Sequence, residues 1–474
     1  MRDVVLALDS GTTSTRAIAF DVTGRALGSE QLEHQQFFPE PGWVEHDPIE
    51  LWTNACAVLA GVVERLGLTV DRIAALGITN QRETTIVWNR HTGEPVGRAI
   101  VWQDTRTQAR VDAIRARGDA DAVTLLTGLP VSTYFSATKI AEILDTHPGA
   151  RESAQRGELV AGTVDTWLLW NLTGGVDGGQ LATDVTNASR TCLMDIETLS
   201  WREDLCAIFD VPPSVLPAIL PSGSDFGEVS TIPGLAGVSI AAMLGDQHAA
   251  TLGHVAVEEG EAKNTYGTGN FLIVSTGHKL VRSTHGLIST VGFQRDGEPV
   301  RYALEGSVAV SGSLVQWLRD SLCMISSSDE IEPLAASVPD TGGVVIVPAF
   351  SGLFAPYWRP DARGIIAGLT RFTTKAHIAR AALESVAFQS RDVIAAAEKD
   401  LGSPIREINV DGGMVSNDLL MQFQSDVTGI PVIRPSMNET TALGAAFAAG
   451  LTVGLWRDEA ELRALVRNGD RFDP

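Results

Sequence analysis

VVLALDSGTTSTRAIAFD, residues 4–21, decides how the rest of the chain is read. An apolar run from Val4 to Leu8 meets an aspartate, a glycine and a series of hydroxyls before apolar residues resume, so the order is strand, loop, strand. A polyphosphate asks for inward backbone N–H groups, hydroxyl donors, a cation and a carboxylate placed to manage magnesium. Asp9, Gly11, Thr12, Thr13, Ser14 and Arg16 supply all of these, with Gly11 letting the backbone turn close to a ligand. An ordinary hairpin with a Thr- and Ser-rich turn has the same composition, and the stretch alone leaves both readings open.

Working outward, KNTYGTGNFLIVST (residues 263–276) repeats the design, with Gly267, Thr268 and Gly269 in the turn. Each half of the protein is therefore expected to open with a phosphate-facing turn. The charged stretch VEEGEAK just before the second turn sets the expected boundary, giving domains 1–252 and 253–474. In LEGSVAVSGSLVQWLRD a polar turn leads into a helix, with Gly312 and Gln316 one turn apart on one face. INVDGGMVSNDLL gives strand, double glycine and helix start; Gly412 and Gly413 let a nucleotide press against backbone, or merely make a tight packing turn.

With 474 residues and 44% hydrophobic content the chain can bury large cores and is long enough for two domains. A formal charge of −22 without a basic stripe argues against a nucleic-acid partner. No apolar run approaches the length of a bilayer crossing, and the first strand starts within a few residues of Met1, so a cytoplasmic protein without a membrane partner is expected. Cys56, Cys192, Cys206 and Cys323 lack C-x-x-C spacing, which suits a reducing compartment and speaks against a structural zinc site.

Polar clusters follow several apolar runs. PGWVEHDPIELW reads as a loop feeding a helix capped by Asp47. In ALGITNQRETTIVWN a buried strand, Ala75 to Thr79, runs into Asn80, Gln81, Arg82 and Glu83, at the strand end where open α/β sheets bind ligands. Arg82 and Glu83 can together grip adjacent hydroxyls, one donating and one accepting. Neighbours on a regular strand point to opposite faces, so joint contact requires an irregular backbone there; a plain Arg–Glu surface pair is the alternative. Trp102 and Tyr134 are candidate aromatic walls that are equally at home in a core. Asp165 is expected to cap a helix, Thr183 to Ser189 to form a polar turn, and Thr373 or Thr374 to cap a helix from Ala376 to about Leu401. SIAAMLGDQHAATLG sets Asp246, Gln247 and His248 at a helix start, where a carboxylate is held ionised and can also cap the first turn.

These motifs, in the order DSGTTSTR, GWVEHDP, GITNQRET, VWQDTRT, GTVDTWL, TNASRT, GDQHAA, KNTYGTG, LEG, APYW, VDGG and TALGAA, resemble those of the FGGY carbohydrate kinase family. GWVEHDP with NQRET is similar to the branch that acts on glycerol. The resemblance implies an α/β fold of two ribonuclease-H-like domains, as in the actin-like ATPases, with an active-site cleft between them. It also implies ATP with Mg2+ as donor, glycerol as substrate, sn-glycerol 3-phosphate as product, and a place at the first step of glycerol catabolism. By resemblance Asp246 is the general base; Arg82, Glu83, Tyr134, Asp246 and Gln247 hold the hydroxyls, and Trp102 and Phe271 wall the carbon chain. Thr12, Thr13, Ser14, Arg16, Thr268, Gly312, Gln316, Gly413 and Asn417 hold ATP, and Asp9 supports its magnesium. Family members are commonly homodimers or homotetramers. A sibling kinase for another short polyol or ketose, and a non-kinase actin-like ATPase, are the competing readings.

Four departures stand out. Ser10 replaces the usual Gln, and Glu142 stands near a usual Trp. The segment between Phe226 and Gly245 lacks the Gly-Gly-x-Arg loop with which some members bind an inhibitory sugar bisphosphate, so insensitivity to it is expected. The chain also stops at Pro474, short of the further helix of typical members.

Overall fold

A computed structural model describes residues 2–350, 352–359, 361–437, 439–466 and 469–474. The chain forms two compact units. The first comprises Met1–Val255, Thr290–Tyr302 and Glu439–Val466, and the second Ala256–Ser289, Ala303–Asn438 and Arg467–Pro474. Residues 439–466, which a single boundary at 252/253 assigns to the second half, pack with the first.

In the first unit Val4–Ser10 and Ser14–Asp21 form an antiparallel hairpin, with Ser10 opposite Thr15. Gly11 N–H donates to the Ser14 carbonyl at 2.9 Å and closes the turn. Ile73–Asn80 lies parallel to Val4–Ser10, and Ile240–Gly245 lies parallel to Ile73–Asn80. The sheet order is Ile240–Gly245, Ile73–Asn80, Val4–Ser10, Ser14–Asp21, Ala26–Glu33. Val4 to Leu8 are buried without alternation because helices cover both faces of this strand. Helix Pro48–Leu66, capped by Asp47 on the Ile49 N–H, packs Leu51, Ala55, Val58, Leu59 and Val62 against one face. Helix Thr440–Thr452 covers the other; a Cβ on Gly77 would stand 2.2 Å from the Ala445 carbonyl, so helix and strand touch backbone to backbone.

The second unit repeats the plan. Ala262–Tyr266 and Asn270–Gly277 form the hairpin, Gly267 N–H closes the turn on the Gly269 carbonyl at 2.9 Å, and Ile408–Asp411 lies parallel to the first strand. Its seven-stranded sheet is covered by helix Lys375–Leu401, whose Val386, Val393 and Ile394 meet Tyr266, Leu304 and Val410. Thr374, not Thr373, caps this helix reciprocally with His377, and Gly402 ends it at φ 75°. Two hairpins, each with a parallel strand beside it, make the chain an α/β protein of two ribonuclease-H-like units of the actin-like ATPase type. Ser351 and Pro360, in the long Gly/Pro/aromatic loop, and Asn438 lie outside the described residues.

Two local expectations are corrected. Asp165 does not cap a helix: Thr163 holds that position, and the buried Asp165 carboxylate accepts the Thr163 hydroxyl and the Thr183 hydroxyl. Thr183 to Ser189 is no simple turn but a strand end and a short helix, Val185–Ala188, capped by Asp184 on the Thr186 and Asn187 N–H groups.

Candidate active site

The carboxyl ends of the parallel strands of the first unit carry the polar residues. Ile73–Asn80 ends at Asn80, whose side-chain amide pairs with that of Asn187 at 3.0 and 3.1 Å. The backbone then turns irregular, and Glu83 takes φ 61°, a left-handed conformation that costs a side-chain-bearing residue about 1–2 kcal/mol. Two side chains adjacent in sequence thereby escape strand alternation. Arg82 is buried and its Nε lies 3.2 Å from Asp246 Oδ1. Glu83 is buried as well, and its Oε1 accepts from Arg190 Nε at 2.6 Å. With both side chains buried, the surface location allowed by the sequence is not what forms.

Asp246 is the first residue of helix Asp246–Gly253, with Gly245 at the capping position. Its Oδ1 accepts the Gln247 N–H at 2.7 Å, so the carboxylate is oriented by the helix start without capping it. A Cβ on Gly245 would strike the Arg82 side chain at 2.6 Å, and the glycine is what lets Arg82 lie against this turn. Gln247 follows on the first helical turn. Trp102 and Tyr134 meet edge to face, ring centres 5.6 Å apart. Phe271 lies on the second unit's strand Asn270–Gly277, opposite Thr265.

Asp9 sits on the hairpin strand opposite Arg16. Burial, and then the negative charge of Asp246, push its carboxyl up to about 7 against the pull of Arg16. Arg16 is paired with the Glu439 carboxylate, at the start of helix Thr440–Thr452. Two neighbouring carboxylates, one resisting ionisation, suit a divalent cation, and Mg2+ typically takes one or two protein carboxylates with phosphate oxygens. Among the described residues no group of three or more His, Cys, Asp or Glu is set to hold a metal. Asp9, with the Asp246 charge beside it, therefore fits a cation that arrives with a nucleotide.

The sequence reading missed the support behind the phosphate loop. The Thr12 carbonyl accepts from His34 Nε2 at 2.9 Å and from Gln36 Nε2 at 2.6 Å, and the Thr12 hydroxyl accepts the Trp102 indole N–H at 3.0 Å. His46 bridges Gln36 Oε1 at 2.9 Å and Gln81 Nε2 at 3.2 Å, and Gln81 Nε2 also donates to the Gly11 carbonyl. Burial, with His34 adding, pulls the His46 imidazole down to about 3, so it stays neutral with one nitrogen donating and the other accepting. Thr13 is exposed and Ser14 half-buried on the loop.

In the second unit residues 311–313 fold against Thr268. Its carbonyl accepts from Ser311 N–H at 2.9 Å and Ser313 Oγ at 3.0 Å, and Gly312 N–H donates to the Gly267 carbonyl at 2.9 Å. Gly312 opens helix Gly312–Asp320, which carries Gln316 one turn on. A Cβ on Gly412, at φ 95°, would lie 2.5 Å from the Tyr266 carbonyl, whereas one on Gly413 would meet nothing within 4 Å. Gly412 is thus demanded by packing, and Gly413 borders open space. Asn417 caps helix Asp418–Thr428, its Oδ1 accepting the Leu420 N–H at 2.8 Å.

The departures find local reasons. Glu142 pairs with Arg110 at 2.7 Å, and Ser10 is buried with its hydroxyl 3.5 Å from that of Thr15.

Residues 4–253 match the N-terminal domain of the FGGY family of carbohydrate kinases, and residues 262–453 match its C-terminal domain. The chain is 59% identical over 474 residues to a glycerol kinase of Pseudarthrobacter chlorophenolicus, covering 100% of this chain and 94% of that protein. A glycerol kinase of Brucella anthropi is 54% identical, covering 100% and 95%. The crystal structure of Plasmodium falciparum glycerol kinase with ADP superposes with a TM-score of 0.93 at 41% identity, over 99% of this chain and 94% of that one. The chain belongs to the FGGY family of carbohydrate kinases.

Proposed function

We propose that the protein transfers the γ-phosphoryl group of ATP to a terminal hydroxyl of glycerol, giving sn-glycerol 3-phosphate. The observation that carries this reading is the Arg82–Asp246 pair at 3.2 Å, set at the carboxyl ends of two adjacent parallel strands. The glycerol kinase relatives above support the choice of acceptor.

Asp246 is assigned as the general base. Its carboxylate, oriented by the Gln247 N–H and by Arg82, takes the proton of the attacking hydroxyl, a contribution typically of about 10²–10⁴-fold. Arg82 and Glu83, with Tyr134 and Gln247, bind the hydroxyls, and Trp102 and Phe271 offer apolar faces to the carbon chain. A short triol suits this set, since a longer sugar would need more polar partners. Thr12, Thr13, Ser14 and Arg16 of the first unit are assigned to phosphate oxygens. Thr268, Gly312, Gln316, Gly413 and Asn417 of the second are assigned to the nucleotide. Asp9 would hold magnesium together with the nucleotide, and the ion would supply neutralisation of phosphate charge. Phosphoryl transfer asks the protein mainly for position and electrostatics. The reading carries with it a cytoplasmic setting, in keeping with four free cysteines, and a homodimer or homotetramer.

Coupled ADP-release measurements across a panel of polyols test the reading. Highest kcat/KM on glycerol is expected; a higher value on xylulose, erythritol or dihydroxyacetone selects a sibling activity. Hydrolysis indifferent to every polyol would leave only an ATPase.

A further inference from the structure

Lys139 is fully buried in the first turn of helix Ser136–Thr146. A cation there works against both desolvation and the helix dipole, whose positive end lies at this turn. Its Nζ is surrounded by three consecutive main-chain carbonyls, Thr133 at 2.7 Å, Tyr134 at 2.6 Å and Phe135 at 3.2 Å. An ammonium has three N–H donors and no acceptor, so these carbonyls match its full donor capacity. They belong to the segment that presents Tyr134, and Phe135 at the capping position offers the helix no side-chain cap. Around this anchor the acceptor residues are tied together. Ser136 Oγ donates to the Glu83 carbonyl at 3.1 Å, and the Arg190 guanidinium that binds the Glu83 carboxylate stands 5.6 Å from the Tyr134 ring centre and 5.3 Å from that of Phe135.

We propose that Lys139 is a positioning residue that sets acceptor affinity by holding the Tyr134 segment against Glu83, without itself touching the polyol. The inference rests on the acceptor assignment given above. The charged groups facing Lys139 are Glu83, already bound to Arg190, and Asp104, bound to Arg106 at 2.7 Å; Cys192, whose thiol burial pushes up, stays neutral. Burial pulls the ammonium down to about 8, with Glu83 the main opposing influence. Above that pH a neutral amine keeps two N–H groups and turns its lone pair toward the third carbonyl, so the segment loosens.

The test is steady-state kinetics of the full chain and its Lys139→Met variant, with both substrates varied. Wild-type ADP release that depends on glycerol is the control, and its absence would fail the acceptor assignment rather than this inference. The expected result is a glycerol KM raised about tenfold in Lys139→Met with the ATP KM within about twofold, the loss of charge-assisted hydrogen bonds at one site. An unchanged glycerol KM overturns the proposal, and so does a parallel rise in both KM values, which marks a general structural role. If Lys139→Met yields no folded protein, the wild type decides: the glycerol KM should rise severalfold from about pH 7 to about pH 9.5 with the ATP KM flat. A flat glycerol KM over that range overturns it.

Discussion

The indole N–H of Trp102 donates to the hydroxyl of Thr12 at 3.0 Å, joining an aromatic wall assigned to the acceptor directly to the loop assigned to phosphate. Because Thr12 also receives His34 and Gln36 on its carbonyl, the loop is braced from three sides before any ligand binds. Trp102→Phe keeps most of the edge-to-face packing on Tyr134 and removes only the donor. Loss of one such bond is worth about 1 kcal/mol, so the ATP KM should rise about fivefold. Two-substrate kinetics would show it, and an unaltered ATP KM would mean the loop needs no support from the indole.

Asp246→Asn removes the carboxylate that Arg82 and the Gln247 N–H orient, while leaving the side-chain shape. A kcat lowered by about 10²–10⁴-fold is expected, with ATP affinity near normal. Turnover at the wild-type rate would remove Asp246 from the chemistry.

Gly412 and Gly413 are adjacent, yet their substitutions should differ in kind. Gly412→Ala forces a Cβ within 2.5 Å of the Tyr266 carbonyl at φ 95° and should lower the melting temperature, with overpacking typically costing about 1–3 kcal/mol. Gly413→Ala meets nothing within 4 Å, so stability without nucleotide should hold while the ATP KM rises. Melting curves with and without ATP separate the two; equal destabilisation would assign both glycines to packing.

Asp9 carries a pH signature. Its folded carboxyl, pushed up to about 7 by burial and by Asp246, lies above its ordinary value of 3.8, so between these values the folded chain holds a proton that the unfolded chain has lost. Stability contributed by this group therefore falls as pH rises through that window. Asp9→Asn should melt higher than wild type above about pH 7, with the difference vanishing near about pH 4. A difference independent of pH would show that Asp9 is not held in its neutral form.

The fold was legible because its deciding features are local. A strand, glycine turn and strand recur at Gly11 and Gly267, and a double glycine follows the strand Ile408–Asp411. Arg82 and Glu83 were readable as a pair that needs irregular backbone, and Glu83 at φ 61° supplies it. What escaped sequence reading depends on contacts distant along the chain. Arg16 finds Glu439 across 423 positions, and Glu83 finds Arg190 across 107. His46 looked like part of a helix lead-in, and nothing local reveals that it braces Gln36 and Gln81. Asp165 looked like a cap because Asp before an apolar run usually is one; its burial beside two threonine hydroxyls is a tertiary fact.

Helix Thr440–Thr452 completes the first unit with residues made long after its strands. Gly444 would place a Cβ 1.7 Å from the Ala249 carbonyl, and Gly253 one 2.0 Å from the Thr440 carbonyl, so the seat for this helix is shaped to backbone and accepts no ready substitute. A ribosome must therefore have translated past Thr452 before the first sheet can bury its second face. Until then the nascent strands Val4–Ser10 and Ile73–Asn80 present bare apolar surface, which makes this kinase a natural client for chaperones during synthesis.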